Sequence, residues 1–148
     1  MSTSSIHFFT EDVNYVIKQK RILKEWLLSV IEDERYSLQE LNFILCSDDY
    51  LLDLNQQYLD HDTYTDVITF DNSEQPKVVT GDIFISIDRI KENAATVKVI
   101  VSEELQRVMV HGTLHLLGYK DKSKAAKKQM TLREDHYLTI LKEKLTSL

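Results

Sequence analysis

The apolar positions along the chain predict a definite order of elements. Ile6 to Phe9 is a short β-prone run. From about Lys18 to Glu34, Ile22, Leu23, Trp26, Leu27, Val30 and Ile31 fall at helical spacing with charges on the opposite face, which predicts an amphipathic helix. Leu41 to Cys46 reads as a strand. Ser47, Asp48 and Asp49 then cap a second helix running to about Tyr58, because short oxygen-bearing side chains satisfy the free amides of a first turn. Val67 to Phe70 and Ile83 to Ser86 are β-rich runs on either side of a polar connection that holds the only proline, Pro76, and they are expected to pair as neighbours. Further helices are predicted over Ile87 to about Val97, Ser102 to Leu117 and Ser123 to about Leu145. Strands and helices intermix without strict alternation, which predicts an α/β fold of the α+β type, a small mixed sheet covered by helices.

Length and composition narrow this picture. The 148 residues carry no repeat, low-complexity tract or linker, so residues 1–148 are expected to form a single domain. A chain of this size buries roughly two-thirds of its unfolded surface and builds its core without disulfides or a structural metal. Any metal is then free to be functional. The single cysteine, Cys46, and a polar start without a basic or apolar leader point to a reducing, cytoplasmic setting. No apolar run approaches the ~18 residues that span a bilayer, so no membrane role is expected. The net charge of −6 argues against bulk electrostatic binding of nucleic acid. That charge is unevenly spread, however, since Lys120 to Arg133 holds six cations and one anion, a local +5.

The chemistry concentrates in His111-Gly-Thr-Leu-His115-Leu-Leu-Gly118-Tyr-Lys-Asp121, the pattern H-x-x-x-H-x-x-G-x-x-D. Residues four apart lie on one helical face, so His111 and His115 bring two imidazoles to one ion. Gly118 suits the left-handed position that stops a helix, after which the chain turns back to present Asp121 as a third ligand. Three protein ligands leave a coordination position for water, as a catalytic site requires. Only three glycines occur in the chain, and two stand in this motif. Gly112 implies close backbone packing beneath the site, because a glycine inside a helix costs about 1 kcal/mol against alanine.

At roughly 100° per residue, Glu104, His111 and His115 fall within about 40° of one another. Glu104 is therefore a candidate to support an imidazole or accept a proton from water. The spacing also matches the ligand pattern of metzincin proteases, but Gly112 stands where those enzymes carry their catalytic glutamate. Peptide hydrolysis loses its general base, and protease ranks low.

The motif resembles the H-G-x-L-H-L-x-G-Y-D-H signature of the YbeY family, bacterial metal-dependent endoribonucleases of rRNA maturation. Thr65-Asp66-Val67-Ile68-Thr69-Phe70 is similar to that family's T-D-V-L-S-F segment, and Gly81-Asp82-Ile83 to its G-D-I. The resemblance implies a four-stranded sheet, a zincin-like zinc site, cleavage of single-stranded RNA, and work on ribosomal RNA with the small ribosomal subunit as partner. Two positions depart from the family pattern. Asp121 aligns with its third histidine, and this harder ligand set makes manganese or iron(II) more competitive with zinc. Leu59 follows Tyr58 where the family has an arginine, which removes a candidate phosphate-binding cation.

The resulting expectation is hydrolysis of RNA phosphodiesters, with His111, His115 and Asp121 holding the metal and Lys120, Lys122 or Arg107 replacing the missing cation. Several residues have two readings. The lysine run is a solvated helix face or an RNA-guiding groove. Tyr64 and Tyr119 pack at a core edge or stack on unpaired bases. Asp66 and Asp82 cap turns or orient an imidazole through its second nitrogen. His7, His61 and His136 stand in no ligand spacing, although His136 or Asp135 replaces Asp121 if the turn falls elsewhere. Two other functions compete, a non-catalytic ribosome-assembly factor with a structural metal and a small-molecule metal-dependent hydrolase.

Overall fold

All six apolar residues that give the first helix its phase are buried on α1 (Lys20–Asp33). The computed structural model describes residues 3–59 and 64–147 of the chain. His61 lies outside the described residues.

Four strands, β1 (Ile6–Thr10), β2 (Ser37–Cys46), β3 (Val67–Asp71) and β4 (Val78–Ser86), form one sheet in the order β1-β2-β4-β3. β1 and β4 both run parallel to β2, while β3 pairs antiparallel with β4 in the register Val67↔Ile85 to Asp71↔Gly81. The sheet is therefore mixed and four-stranded, and the two runs around Pro76 are neighbours. Strand β2 lies inside the sheet and its second half is almost wholly buried, as expected of a strand between two parallel partners.

Side-chain alternation divides the molecule into two layers of apolar contact. Ile83 and Ile85 on β4 face the main core, with α1, α4 (Val101–Leu116) and α5 (Lys124–Thr146). On the other face, Phe84 joins Cys46, Leu51 and Ile68 beneath α2 (Asp48–Leu59). A further helix, α3 (Ile87–Val97), starts at Ser86, whose hydroxyl accepts from Arg89 N at 3.2 Å. Among the described residues no helix is long and apolar enough to cross a membrane.

Two contacts place α4 and α5 against this frame. A Cβ at Gly112 would stand 3.0 Å from Ile83 Cγ2, so glycine lets α4 settle closely on the β3–β4 hairpin. This is the packing that a glycine between two histidines implies. On α5, Met130, Glu134, Tyr137 and Leu141 form the buried stripe. The Tyr137 carbonyl accepts from Trp26 Nε1 at 2.8 Å, and its hydroxyl donates to Asp33 and Glu34 at the end of α1. Tyr137 thereby fixes the rotation of α5, and Glu134, three residues earlier, is turned toward α4.

Candidate metal centre

Helix α4 ends in a Schellman motif. Gly118 takes φ +97°, Tyr119 N donates to Leu114 O at 3.0 Å, and Gly118 N donates to His115 O at 3.0 Å. The turn satisfies the last carbonyls of the helix and sends the chain back over its own final turn. Asp121 arrives beside His111 and His115 as a result. The Tyr119 carbonyl, carried by the same turn, lies 3.0 Å from His115 Nδ1.

Those neighbours assign the imidazole tautomers. A carbonyl only accepts, so His115 carries its proton on Nδ1 and presents a lone pair at Nε2. His111 Nδ1 lies 2.6 Å from Glu134 Oε2 and donates to that carboxylate, which likewise leaves Nε2 as a lone pair. The two Nε2 atoms are 3.1 Å apart, and each lies 3.3 Å from Asp121 Oδ2. With both rings neutral in these tautomers, three electron-rich atoms converge. That arrangement is repulsive by itself and is what a cation relieves. Tetrahedral coordination with bonds of about 2.05 Å separates ligand atoms by roughly 3.3 Å, which these three distances match. His111, His115 and Asp121 form a metal-binding arrangement in this protein.

The ligands open into a cavity of about 450 Å³ along the edge strand β3. It is lined by Asn55 and Leu59 of α2, by residues Thr65 to Thr69, and by the two histidines and Asp121. Burial disfavours the charged form of His111, but the bond to Glu134 and the charges of Glu134, Asp121 and Asp66 outweigh that and hold its pKa above the ordinary value. Asp66 is raised, chiefly by burial, against the opposing charge of His111. Glu104 is also raised, by burial and then by the charge of Asp66.

The sequence-predicted residues separate at this point. Glu104 shares the angular phase of His111 but sits seven residues earlier, about 10 Å down the helix axis. With Arg107 it lines a different groove, beside Asp135 and Leu138. Arg107 donates to Glu134 Oε1 and to Asp135 Oδ1, both at 2.7 Å, so its guanidinium is committed to α5 rather than to the cavity. Asp135 and His136 stand outside the cavity lining as well. Lys120 faces a second cleft across the turn, with Lys77, Tyr36 and Tyr119. Tyr119 donates to Glu34 at 2.8 Å, and Tyr64 packs over Arg89 at 4.9 Å. Asp82 accepts from Asn42 and Asn72, away from either imidazole.

Glu134 escaped the sequence reading. Its signal was a carboxylate in the apolar stripe Met130–Tyr137–Leu141, since an acid is almost never buried unless it is paired.

The family model for the endoribonuclease YbeY matches residues 6–142. The chain belongs to the YbeY family. An endoribonuclease YbeY of Cytophaga hutchinsonii is 50% identical over 142 residues, covering 96% of this chain and 99% of that relative. One from Flavobacterium psychrophilum is 48% identical over 132 residues, covering 89% and 94%. The solution structure of TM1509 from Thermotoga maritima superposes with a TM-score of 0.67 at 30% identity, covering 96% of this chain and 92% of that one. The structure puts Asp121 Oδ2 within reach of both imidazoles. Leu59 lines the cavity, and no lysine or arginine appears among the described lining residues.

Proposed function

We infer that this chain is a metal-dependent endoribonuclease that cuts single-stranded RNA, with ribosomal RNA and the small ribosomal subunit as its setting in the cytoplasm. The convergence of two imidazole lone pairs and a carboxylate oxygen on one open cavity carries the reading, and membership in the YbeY family gives it its substrate class. His111, His115 and Asp121 hold the metal. The mixed nitrogen and oxygen set suits zinc, with manganese and iron(II) as competitors. When bound, a divalent ion there supplies Lewis-acid activation of water and of a phosphoryl oxygen.

The chain's own residues do the rest. Glu134 and the Tyr119 carbonyl fix both rings in the ligating tautomer. Arg107 acts on the site through Glu134, as a positioning residue. The Thr65 and Thr69 side chains and the Asn55 amide make the cavity polar without adding positive charge. Lys120, next to Asp121 in sequence, meets the RNA strand outside the cavity, across the Gly118 turn. Glu104 holds a supporting position below the site.

The deciding experiment treats the protein with chelator, restores zinc, manganese or iron(II) separately, and maps fragments of a labelled single-stranded RNA. Metal-dependent cuts that disappear in His111→Ala are expected. RNA binding without cuts under every metal would overturn the enzymatic reading.

A further inference from the structure

The ligand helix lacks a proton acceptor, because Gly112 occupies the position where metzincins carry theirs. Glu104 does not supply one to the cavity, since it lies two turns below and lines the other groove. The titratable side chains in the described lining of the metal cavity are His111, His115, Asp121 and Asp66. The first three direct their atoms at one another as ligands. Asp66 is left, and it lines the same cavity.

We propose that Asp66 is the catalytic proton carrier of this cavity, acting on the water that attacks the RNA phosphodiester. The proposal rests on the nuclease reading above. As the water oxygen bonds to phosphorus, its proton passes to the Asp66 carboxylate. The bond from phosphorus to the ribose oxygen then breaks, that oxygen takes a proton from solvent water, and Asp66 gives up its own proton to solvent, so water is consumed and the carboxylate is regenerated.

Three features of its placement suit this role. The Asp66 backbone is anchored, because its carbonyl accepts from Ser86 N at 2.9 Å where β3 and β4 begin to pair. Its carboxylate is oriented by the backbone N–H groups of Val67 and of Asp66 itself. Asp66 also belongs to the same cavity lining as His111, His115 and Asp121, which puts a proton acceptor beside the metal-binding residues. A turn cap alone explains the amide contacts. It does not explain why Asp66 lines the metal cavity.

The test uses full-length protein, reconstituted with the metal that supports cleavage, under single-turnover conditions on labelled RNA. Asp66→Asn is expected to lower the cleavage rate by about 100-fold or more. Its affinity for the metal, measured by chelator competition, and for RNA should each stay within about threefold of wild type. Asp66→Ser, whose hydroxyl still caps the turn, should show the same loss and recover activity when formate is added. Cleavage by both variants at the wild-type rate would overturn the assignment and leave the nuclease reading standing. A parallel loss of metal affinity without formate rescue would overturn it too, in favour of a positioning role. Wild-type protein that fails to cut RNA under every metal sinks the nuclease reading itself, and this assignment with it.

Discussion

Glu134 Oε2 stands 2.6 Å from His111 Nδ1, and the other oxygen of the same carboxylate is held by Arg107 at 2.7 Å. Arg107 and His111 are one turn apart on α4, so a single side chain of α5 grips that helix at two successive levels. Glu134 is only 6% exposed, which keeps water from competing for the imidazole N–H. Carboxylates that orient a ligating histidine typically contribute 10- to 100-fold in metal affinity. Glu134→Gln should therefore weaken metal binding by about that range while the circular dichroism spectrum stays unchanged. Equal affinities in chelator competition would show that the contact is merely structural.

Protons and metal compete for His111. Because its pKa is held above the ordinary 6.5, metal affinity should begin to fall, as pH is lowered, at a higher pH than for an unperturbed histidine. The linkage in metal-free protein has the opposite sign. There the raised value adds stability that is fully present below the unfolded value and is lost as pH rises through the folded one. Melting curves with and without metal between pH 5.5 and 8 should accordingly draw together toward the acid end. Curves that stay parallel would contradict this account.

Gly118 has φ +97°, a conformation that costs a residue with a Cβ about 1–3 kcal/mol. Gly118→Ala should lower stability within that range. It should also weaken metal binding, because the turn carries both Asp121 and the carbonyl that orients His115. Denaturant unfolding and metal titration of one preparation check both effects.

Cys46 is fully buried beneath α2, and burial together with the charges of Asp12, Glu11, Asp88 and Asp48 pushes its thiol up to about 12. The thiolate is the reactive form. Native protein should therefore resist iodoacetamide at pH 8, and urea-unfolded protein should react at one site. Mass spectrometry distinguishes the two.

Lys77 joins the Lys120 segment from a distant part of the sequence, lying 4.4 Å over the Tyr36 ring in the cleft that Lys120 shares. If RNA follows this cleft, each phosphate contact removed should flatten the slope of log affinity against log salt by roughly 0.7. Neutralising Lys77 and Lys120 together should flatten it by about 1.4, and an unchanged slope would assign the lysines to a solvated face.

Local pattern made most of the elements legible. The phase of Ile22, Trp26, Val30 and their neighbours set α1, and the polar interval around Pro76 separated two strands that do pair. The parallel partnerships of β2 were not legible, because they join segments thirty to forty residues apart and leave no local signal. Strand β2 also begins at Ser37, four residues ahead of the apolar run, where pairing with Val78 continues through mostly exposed positions. At the site, the ligand spacing and the stop at Gly118 followed from helix geometry. Angular phase placed Glu104 with the histidines because it carries no information about height along the axis. It also could not bring in Glu134, which reaches His111 only after α5 docks through Tyr137.

The last of the three ligands is Asp121, but the carboxylate that sets the first one arrives thirteen residues later, on α5. A nascent chain that has emerged only as far as Asp121 owns every donor atom and not the group that fixes the His111 tautomer. Tight capture of an ion by these three side chains is therefore expected only once α5 has docked on α4. Metal affinity is thus expected to report on the docking of α5 through Glu134.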